Sequence, residues 1–126
     1  MNTNEPTMIG LSEKTHSLLT QMKEDGHLAE MADGYRLGIA LSLAKGVIPP
    51  EVPTPRKTVF SVATIDPDHD LATAIRSIAN LECGSVYRMA ERLAEFGINE
   101  INAMFEGGAI DISEIIRSSN LSPSNN

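Results

Sequence analysis

Residues 37–44 read Leu-Gly-Ile-Ala-Leu-Ser-Leu-Ala, a run with no charged residue and with Ser42 as its one polar side chain. A helix over these residues is apolar on nearly every side, and a helix of that kind has to be buried on every side. In a chain of 126 residues, a second copy of the chain is the expected cover for part of its surface. The sequence therefore predicts a homo-oligomer, in the simplest case a homodimer, whose interface contains Leu37, Ile39, Leu41 and Leu43.

The stretch belongs to a helix that is predicted over about 28–45 and that Gly46 ends. Two glycines four residues apart, Gly34 and Gly38, lie inside this helix. Each costs about 1 kcal/mol relative to alanine, so a compensating reason is expected. Close approach of another helix is the favoured reason, and chance glycines in a tolerant helix are the alternative.

Upstream, the sequence predicts a short strand over 7–11 and a helix over about 13–25. Ser12 is the expected N-cap of that helix, because its hydroxyl can accept a hydrogen bond from a free amide of the first turn. Gly26 is expected to end the helix. A strand, a helix, a turn and a second helix therefore follow one another over 7–46.

Downstream, residues 47–57 contain four prolines, which favour a stiff, extended connector. The β-branched run 58–65 is typical of a short strand. Further helices are predicted over about 66–81, 86–96 (closed by Gly97), 99–105 and 111–117. The chain is interpreted as a single, mainly α domain with a dimerisation part (7–46), a connector (47–57), a mainly helical part (58–117) and a disordered tail (118–126).

Charge and cysteine content narrow the classes of function. Ten Lys and Arg residues against 17 Asp and Glu residues give a net charge of −7, whereas a protein held to DNA by its phosphates needs a basic surface. The single cysteine, Cys83, excludes an intrachain disulfide and a multi-cysteine zinc site. No apolar run approaches the roughly 18 residues that span a bilayer, and residues 1–7 are polar and acidic. We therefore expect a cytoplasmic protein without a membrane partner.

The residues that could carry out chemistry are few. The segment 66–70 alternates acids in the manner of a calcium loop, but Leu71 and Ser77 stand where such a loop needs Gly and a bidentate Glu. The chain has no phosphate-binding glycine motif and no nucleophile motif, so we expect no enzyme, no metal and no cofactor. The alternative of a small enzyme or metal protein would use Asp66, Asp68, His69 and Asp70.

The order of elements over 7–46 resembles a ribbon-helix-helix module. In that family, two chains pair their strands into a ribbon, and their second helices cross in a dimer core. The stretch 37–44 is similar to the helix of such a core, and Gly26 falls at the turn between the helices. Family members read DNA bases from the strand with Lys, Arg, Asn or Gln, whereas the strand 7–11 offers only Thr7. The resemblance thus implies the dimeric fold and little base reading.

A second resemblance covers residues 11–50. Leu-Ser-Glu-Lys-Thr-His-Ser-Leu-Leu over 11–19, Tyr-Arg-Leu-Gly-Ile-Ala-Leu-Ser-Leu over 35–43 and Ile-Pro-Pro over 48–50 resemble the small DndE-type accessory proteins of bacterial DNA-phosphorothioation (Dnd) gene clusters. This resemblance implies a non-enzymatic component that binds DNA or a partner protein. It predicts an oligomeric accessory protein of a bacterial DNA-modification or defence system.

The candidates for contact with DNA are the basic residues Lys14, Lys23, Arg56 and Lys57. So few contacts predict weak, steeply salt-dependent binding. A competing expectation is that DNA is not bound and that the acidic surface takes a basic protein partner. The alternative function is a ribbon-helix-helix transcription regulator or antitoxin, whose C-terminal helices bind an effector or a toxin.

Overall fold

The computed structural model describes residues 5–78 and 84–106 of the chain. Over these residues the protein is mainly helical, with one antiparallel pair of strands, which confirms the predicted mainly α class. Cys83, the helix predicted over 111–117 and the tail 118–126 lie outside the described residues. In chain order the elements are β1 (Met8–Ser12), α1 (Glu13–Glu24), α2 (Met31–Lys45), β2 (Arg56–Ser61), α3 (Val62–Ile65), α4 (Asp70–Ile78) and α5 (Val86–Glu106).

The two strands pair within the chain, from Met8 opposite Ser61 to Ser12 opposite Arg56. β2 therefore begins inside the predicted connector and ends before residue 65, so the predicted strand over 58–65 is wrong at both ends. Its C-terminal part becomes α3, because the Ser61 hydroxyl accepts a hydrogen bond from the Thr64 amide at 3.1 Å and caps that helix.

The local signals of the first two helices are confirmed. The Ser12 hydroxyl accepts a hydrogen bond from the Thr15 amide at 3.1 Å, as expected of an N-cap. Gly46, with φ +70°, ends α2 in the left-handed region that glycine tolerates. α2 begins at Met31, three residues later than predicted, and Leu28 is buried in the segment that precedes it.

α5 is the central helix, and it packs against α1, α2, α4 and β1. The predicted break at Gly97, with a separate helix over 99–105, is wrong. Gly97 lies inside the continuous helix, where a Cβ would collide with the carbonyl group of Gly38 on α2. A Cβ at Gly38 would in turn lie 3.1 Å from the carbonyl oxygen of Ala94. The predicted close approach at Gly38 is thus confirmed, and α5 is the helix that approaches.

This packing also explains why α2 is so apolar. Ile39, Leu41 and Leu43 are buried in the core of the single chain, with 0%, 4% and 9% of their surface exposed. α5 covers the part of α2 that the sequence predicts to lie against a second chain. These three side chains are therefore not available for the predicted interface, and Leu37 is the member of the set that stays partly exposed.

α4 begins at Asp70, four residues after the predicted start. Asp66 precedes the helix and caps it from outside, because its carboxylate accepts hydrogen bonds from the amides of Leu71 and Ala72 at 2.9 and 3.0 Å. Across 5–78 and 84–106, no helix combines the length and the apolar character that crossing a membrane requires.

Candidate functional site

The candidate site is built around Glu91, a carboxylate on α5 with 3% of its surface exposed. Its Oε2 accepts a hydrogen bond from the backbone N–H of Gly10 on β1 at 2.9 Å. Two guanidinium groups pair with the same carboxylate: that of Arg56 on β2, through Nη2, and that of Arg88, through Nη1 at 3.0 Å. A buried charge has to be paired and hydrogen-bonded, and Glu91 meets this requirement with partners from three elements.

Glu95 makes a similar set of contacts one turn later on α5. Its carboxylate accepts hydrogen bonds from the Ser12 amide at 2.9 Å, the Ser12 hydroxyl at 2.8 Å and the Thr15 hydroxyl at 2.7 Å. The N–H groups of residues i and i+2 lie on the same edge of a strand. Glu91 and Glu95 therefore satisfy the edge of β1 that faces away from β2. Both edges of β1 are thus contacted within the chain, one by β2 and the other by α5.

Three guanidinium groups, those of Arg56, Arg88 and Arg92, line one cavity of about 460 Å³, which we call the arginine pocket. Nε of Arg92 donates to the backbone oxygen of Pro49 at 2.8 Å. The side chains of Arg56 and Arg88 are 31% and 48% exposed. The other lining residues are Glu51, Val52, Thr54 and Glu91. Three positive and two negative charges thus leave the pocket locally positive on a chain of net charge −7.

Of the four basic residues predicted to contact DNA, Arg56 lines this pocket, and Lys14 and Lys57 lie in the two elements that meet next to it in the chain. Arg56 and Lys57 are the first two residues of β2. They therefore belong to the hydrogen-bonded sheet and not to a loose connector. Lys14 lies in the first turn of α1. The Glu13 amide donates to the backbone oxygen of Pro55 at 2.9 Å, which joins the start of α1 to the start of β2.

The structure separates Lys23 from this group and adds two arginines to it. Lys23 lies in the last turn of α1, about 13 Å along the helix axis from Lys14. Arg88 and Arg92 were not predicted. The sequence does contain a pattern that could have indicated them. In Arg-Met-Ala-Glu-Arg over 88–92, three charged residues lie at the i, i+3 and i+4 positions of a helix, where their side chains can meet.

The acidic cluster over 66–70 is divided between the interior and the surface. Asp66 is 3% exposed, and both of its oxygens accept amide hydrogen bonds at the start of α4. The Tyr87 hydroxyl donates to Oδ2 of the same carboxylate at 2.7 Å. The other acidic and imidazole side chains of the cluster are exposed: Asp68, His69 and Asp70.

Electrostatics support a capping role for Asp66. Burial opposes its ionisation, but the hydrogen bonds from Tyr87 and the two amides outweigh that effect and hold the pKa of Asp66 below its ordinary value. Burial, together with the neighbouring Asp66, raises the pKa of Tyr87 to about 12, so this hydroxyl stays a donor. In the described part of the chain, no three His, Cys, Asp or Glu side chains are grouped to hold a metal ion.

A second cavity, of about 560 Å³, runs along α2. Arg36 lines this cavity, and its guanidinium group donates to the backbone oxygens of Thr64 and Ile65 at 2.7 and 3.0 Å. Most of its lining is apolar: Leu28, Ala29, Leu37, Ala40 and Leu71. We call this cavity the α2 groove.

Comparison of the chain with models of protein families, with curated proteins and with solved structures finds no significant match in any of the three.

Proposed function

We propose that this chain is a non-enzymatic accessory protein of a bacterial DNA-modification or defence system, and that it contacts duplex DNA weakly through one basic surface. One observation carries the proposal: a backbone hydrogen bond from Glu13 to Pro55 joins the start of α1, which carries Lys14, to the start of β2, which carries Arg56 and Lys57. The resemblance over residues 11–50 supplies the biological setting. The proposed location is the cytoplasm, and the proposed activity needs no cofactor.

The physical basis is neutralisation of phosphates. Each Lys or Arg that meets a DNA phosphate releases condensed counterions, which favours binding at low salt. Guanidinium groups also match two phosphate oxygens at once. Three such side chains on a protein of net charge −7 predict affinity that is weak and falls quickly with salt.

Titration of a labelled duplex at low salt with charge-neutralised variants tests the proposal. We expect Lys14→Gln combined with Lys57→Gln to weaken binding clearly, because both side chains are exposed on the proposed surface. The single variant Lys14→Gln has a matched control in Lys23→Gln on the same helix, whose affinity should stay close to that of the wild type while Lys14→Gln alone weakens binding. Equal effects of Lys14→Gln and Lys23→Gln would remove this surface from the proposal. If the wild type does not bind the duplex, a basic protein partner replaces DNA.

The homodimer also belongs to the proposal, with a changed contact. Leu37 lies in the α2 groove and stays partly exposed, so we propose that a second chain meets this face of α2. Sedimentation at micromolar concentrations tests it: the wild type should be a dimer that Leu37→Glu dissociates. A monomeric wild type would exclude the dimer.

The order of β1, α1 and α2 favours a second candidate, a ribbon-helix-helix regulator or antitoxin. Its two-chain ribbon would have to displace contacts that β1 already makes, because β2 and the carboxylates of Glu91 and Glu95 contact both of its edges. Tight, sequence-specific DNA binding that survives moderate salt would favour this candidate over the first.

A further inference from the structure

We infer that the arginine pocket is a binding site for a phosphate group. The inference deepens the proposed function, and it rests on that function for one of two sources of phosphate, the DNA backbone. The other source is a small phosphate ester or free phosphate. Three observations carry the inference: how the guanidinium groups are held, which donors remain, and how large the cavity is.

The three guanidinium groups are held in place before any ligand arrives. Glu91 pairs with Arg56 and Arg88, and it is itself buried and hydrogen-bonded to β1. The carbonyl group of Pro49 holds Arg92 from the connector. Groups that are fixed in this way lose little conformational freedom on binding, which is the general advantage of a preorganised site.

Donors remain after these contacts are made. A guanidinium group has five N–H donors, while Arg56 and Arg88 each present one nitrogen to Glu91. Glu91 thus orients these two side chains and leaves other N–H groups for a second anion. Glu91 is a positioning residue here, since its own oxygens already accept four donor contacts from the chain.

The ligand chemistry follows from the number and shape of the donors. Arginine pairs bidentately with phosphate, and three guanidinium groups that each offer two N–H donors exceed the roughly four acceptor sites of a single carboxylate. A phosphate group offers more oxygens and up to two negative charges. The volume of about 460 Å³ lies within the range of small-molecule sites.

Calorimetric titration of the full chain tests the inference with three probes: inorganic phosphate, adenosine monophosphate and a short duplex. Arg88→Gln and Arg92→Gln each remove one guanidinium group from the pocket. We expect each to raise the Kd of a phosphate probe about tenfold, as is typical for loss of one charged hydrogen-bond partner. Arg76→Gln on α4 is the matched control, because Arg76 is exposed and does not line the pocket. Circular dichroism and thermal unfolding establish that each variant is folded.

The pattern across probes identifies the source. Arginine-dependent binding of either small probe assigns the pocket to a free phosphate or a phosphate ester, and arginine-dependent binding of the duplex alone assigns it to the DNA backbone. The inference is overturned if no probe loses affinity in Arg88→Gln and Arg92→Gln, or if Arg76→Gln reproduces the loss. The proposed function fails separately: if the duplex does not bind while the small probes do, the pocket stands and DNA contact falls.

Discussion

Glu91 joins β1, β2 and α5 through a single carboxylate, so its charge should matter for stability. Glu91→Gln keeps an acceptor for the Gly10 amide and removes the charge that faces Arg56 and Arg88. We expect the free energy of unfolding to fall by about 1–3 kcal/mol. The loss should lie in the lower part of this range if water solvates the two partly exposed guanidinium groups once the charge of Glu91 is removed. Urea unfolding measures the change.

Glu100→Gln is the matched control for Glu91→Gln. The Glu100 side chain is 37% exposed and pairs with Lys45 across the surface of α2 and α5 at 3.3 Å. Exposed pairs of this kind contribute about 1 kcal/mol or less. If both substitutions have the same small effect, Glu91 does not organise the arginine pocket.

The lowered pKa of Asp66 makes the stability of the protein depend on pH in the acid range. Its hydrogen bonds hold its pKa below the ordinary value, so the folded state binds fewer protons than the unfolded state between the two values. The stabilisation by Asp66 is fully present above the unfolded value, about 3.9, and is lost as pH falls through the folded value. Asp66→Asn should flatten this acid dependence and cost about 1–2 kcal/mol at neutral pH. Chemical unfolding at pH 7 measures the loss at neutral pH, and a series that extends from pH 7 to about pH 2 covers the range in which the contribution of Asp66 is lost.

Glu5 should contribute to the acid dependence as well. The pKa of Glu5 also lies below its ordinary value: burial opposes ionisation, but hydrogen bonds from Ser85, Val86 and Tyr87 outweigh it. Part of the acid dependence will therefore remain in Asp66→Asn.

Asp68→Asn is the control for Asp66→Asn. It changes an exposed carboxylate in the same turn and should alter stability at neutral pH by less than about 0.5 kcal/mol. Equal losses at Asp66 and Asp68 would contradict the capping role.

The crossing of α2 and α5 depends on two glycines that face each other. Alanine is normally preferred inside a helix by about 1 kcal/mol, but a Cβ at Gly97 would collide with the backbone of Gly38. Gly97→Ala should therefore destabilise the protein by about 1–3 kcal/mol, as overpacking does. Gly38→Ala should cost less, because its Cβ would meet neighbouring atoms at 3.1–3.2 Å, where a small shift suffices. Thermal unfolding of both variants gives the order, and a stabilising Gly97→Ala would contradict this packing.

Elements with local signals were predictable, and those that depend on distant contacts were not. The cap at Ser12 and the glycine end at Gly46 use neighbouring atoms, so the sequence alone identifies them. Gly97 is predicted to end a helix because glycine is common at helix ends. The prediction is wrong because no residue near Gly97 in the sequence reveals that Gly38 lies opposite it in the fold. The same limit explains why the sequence predicts a second chain against α2, whereas α5 packs there in the structure.

The candidate site was predictable only in part, for the same physical reason. The sequence names Lys14, Lys23, Arg56 and Lys57 as the basic candidates, and a backbone hydrogen bond joins the elements that carry all of them except the distant Lys23 at their starts. Arg88 and Arg92 belong to the site because a buried carboxylate and a distant carbonyl group hold the guanidinium groups there. The sequence contains those partners but does not indicate that β1, β2 and α5 meet.

For the molecule as a whole, we propose that a locally basic surface contacts DNA despite a net charge of −7. The most direct test is the affinity for a labelled duplex across a series of salt concentrations. Three or four neutralised phosphates predict that log K falls against log salt with a slope of roughly −3 to −4, at about −0.9 per phosphate. Absence of binding at the lowest salt, or binding with a slope near zero, would contradict the proposal.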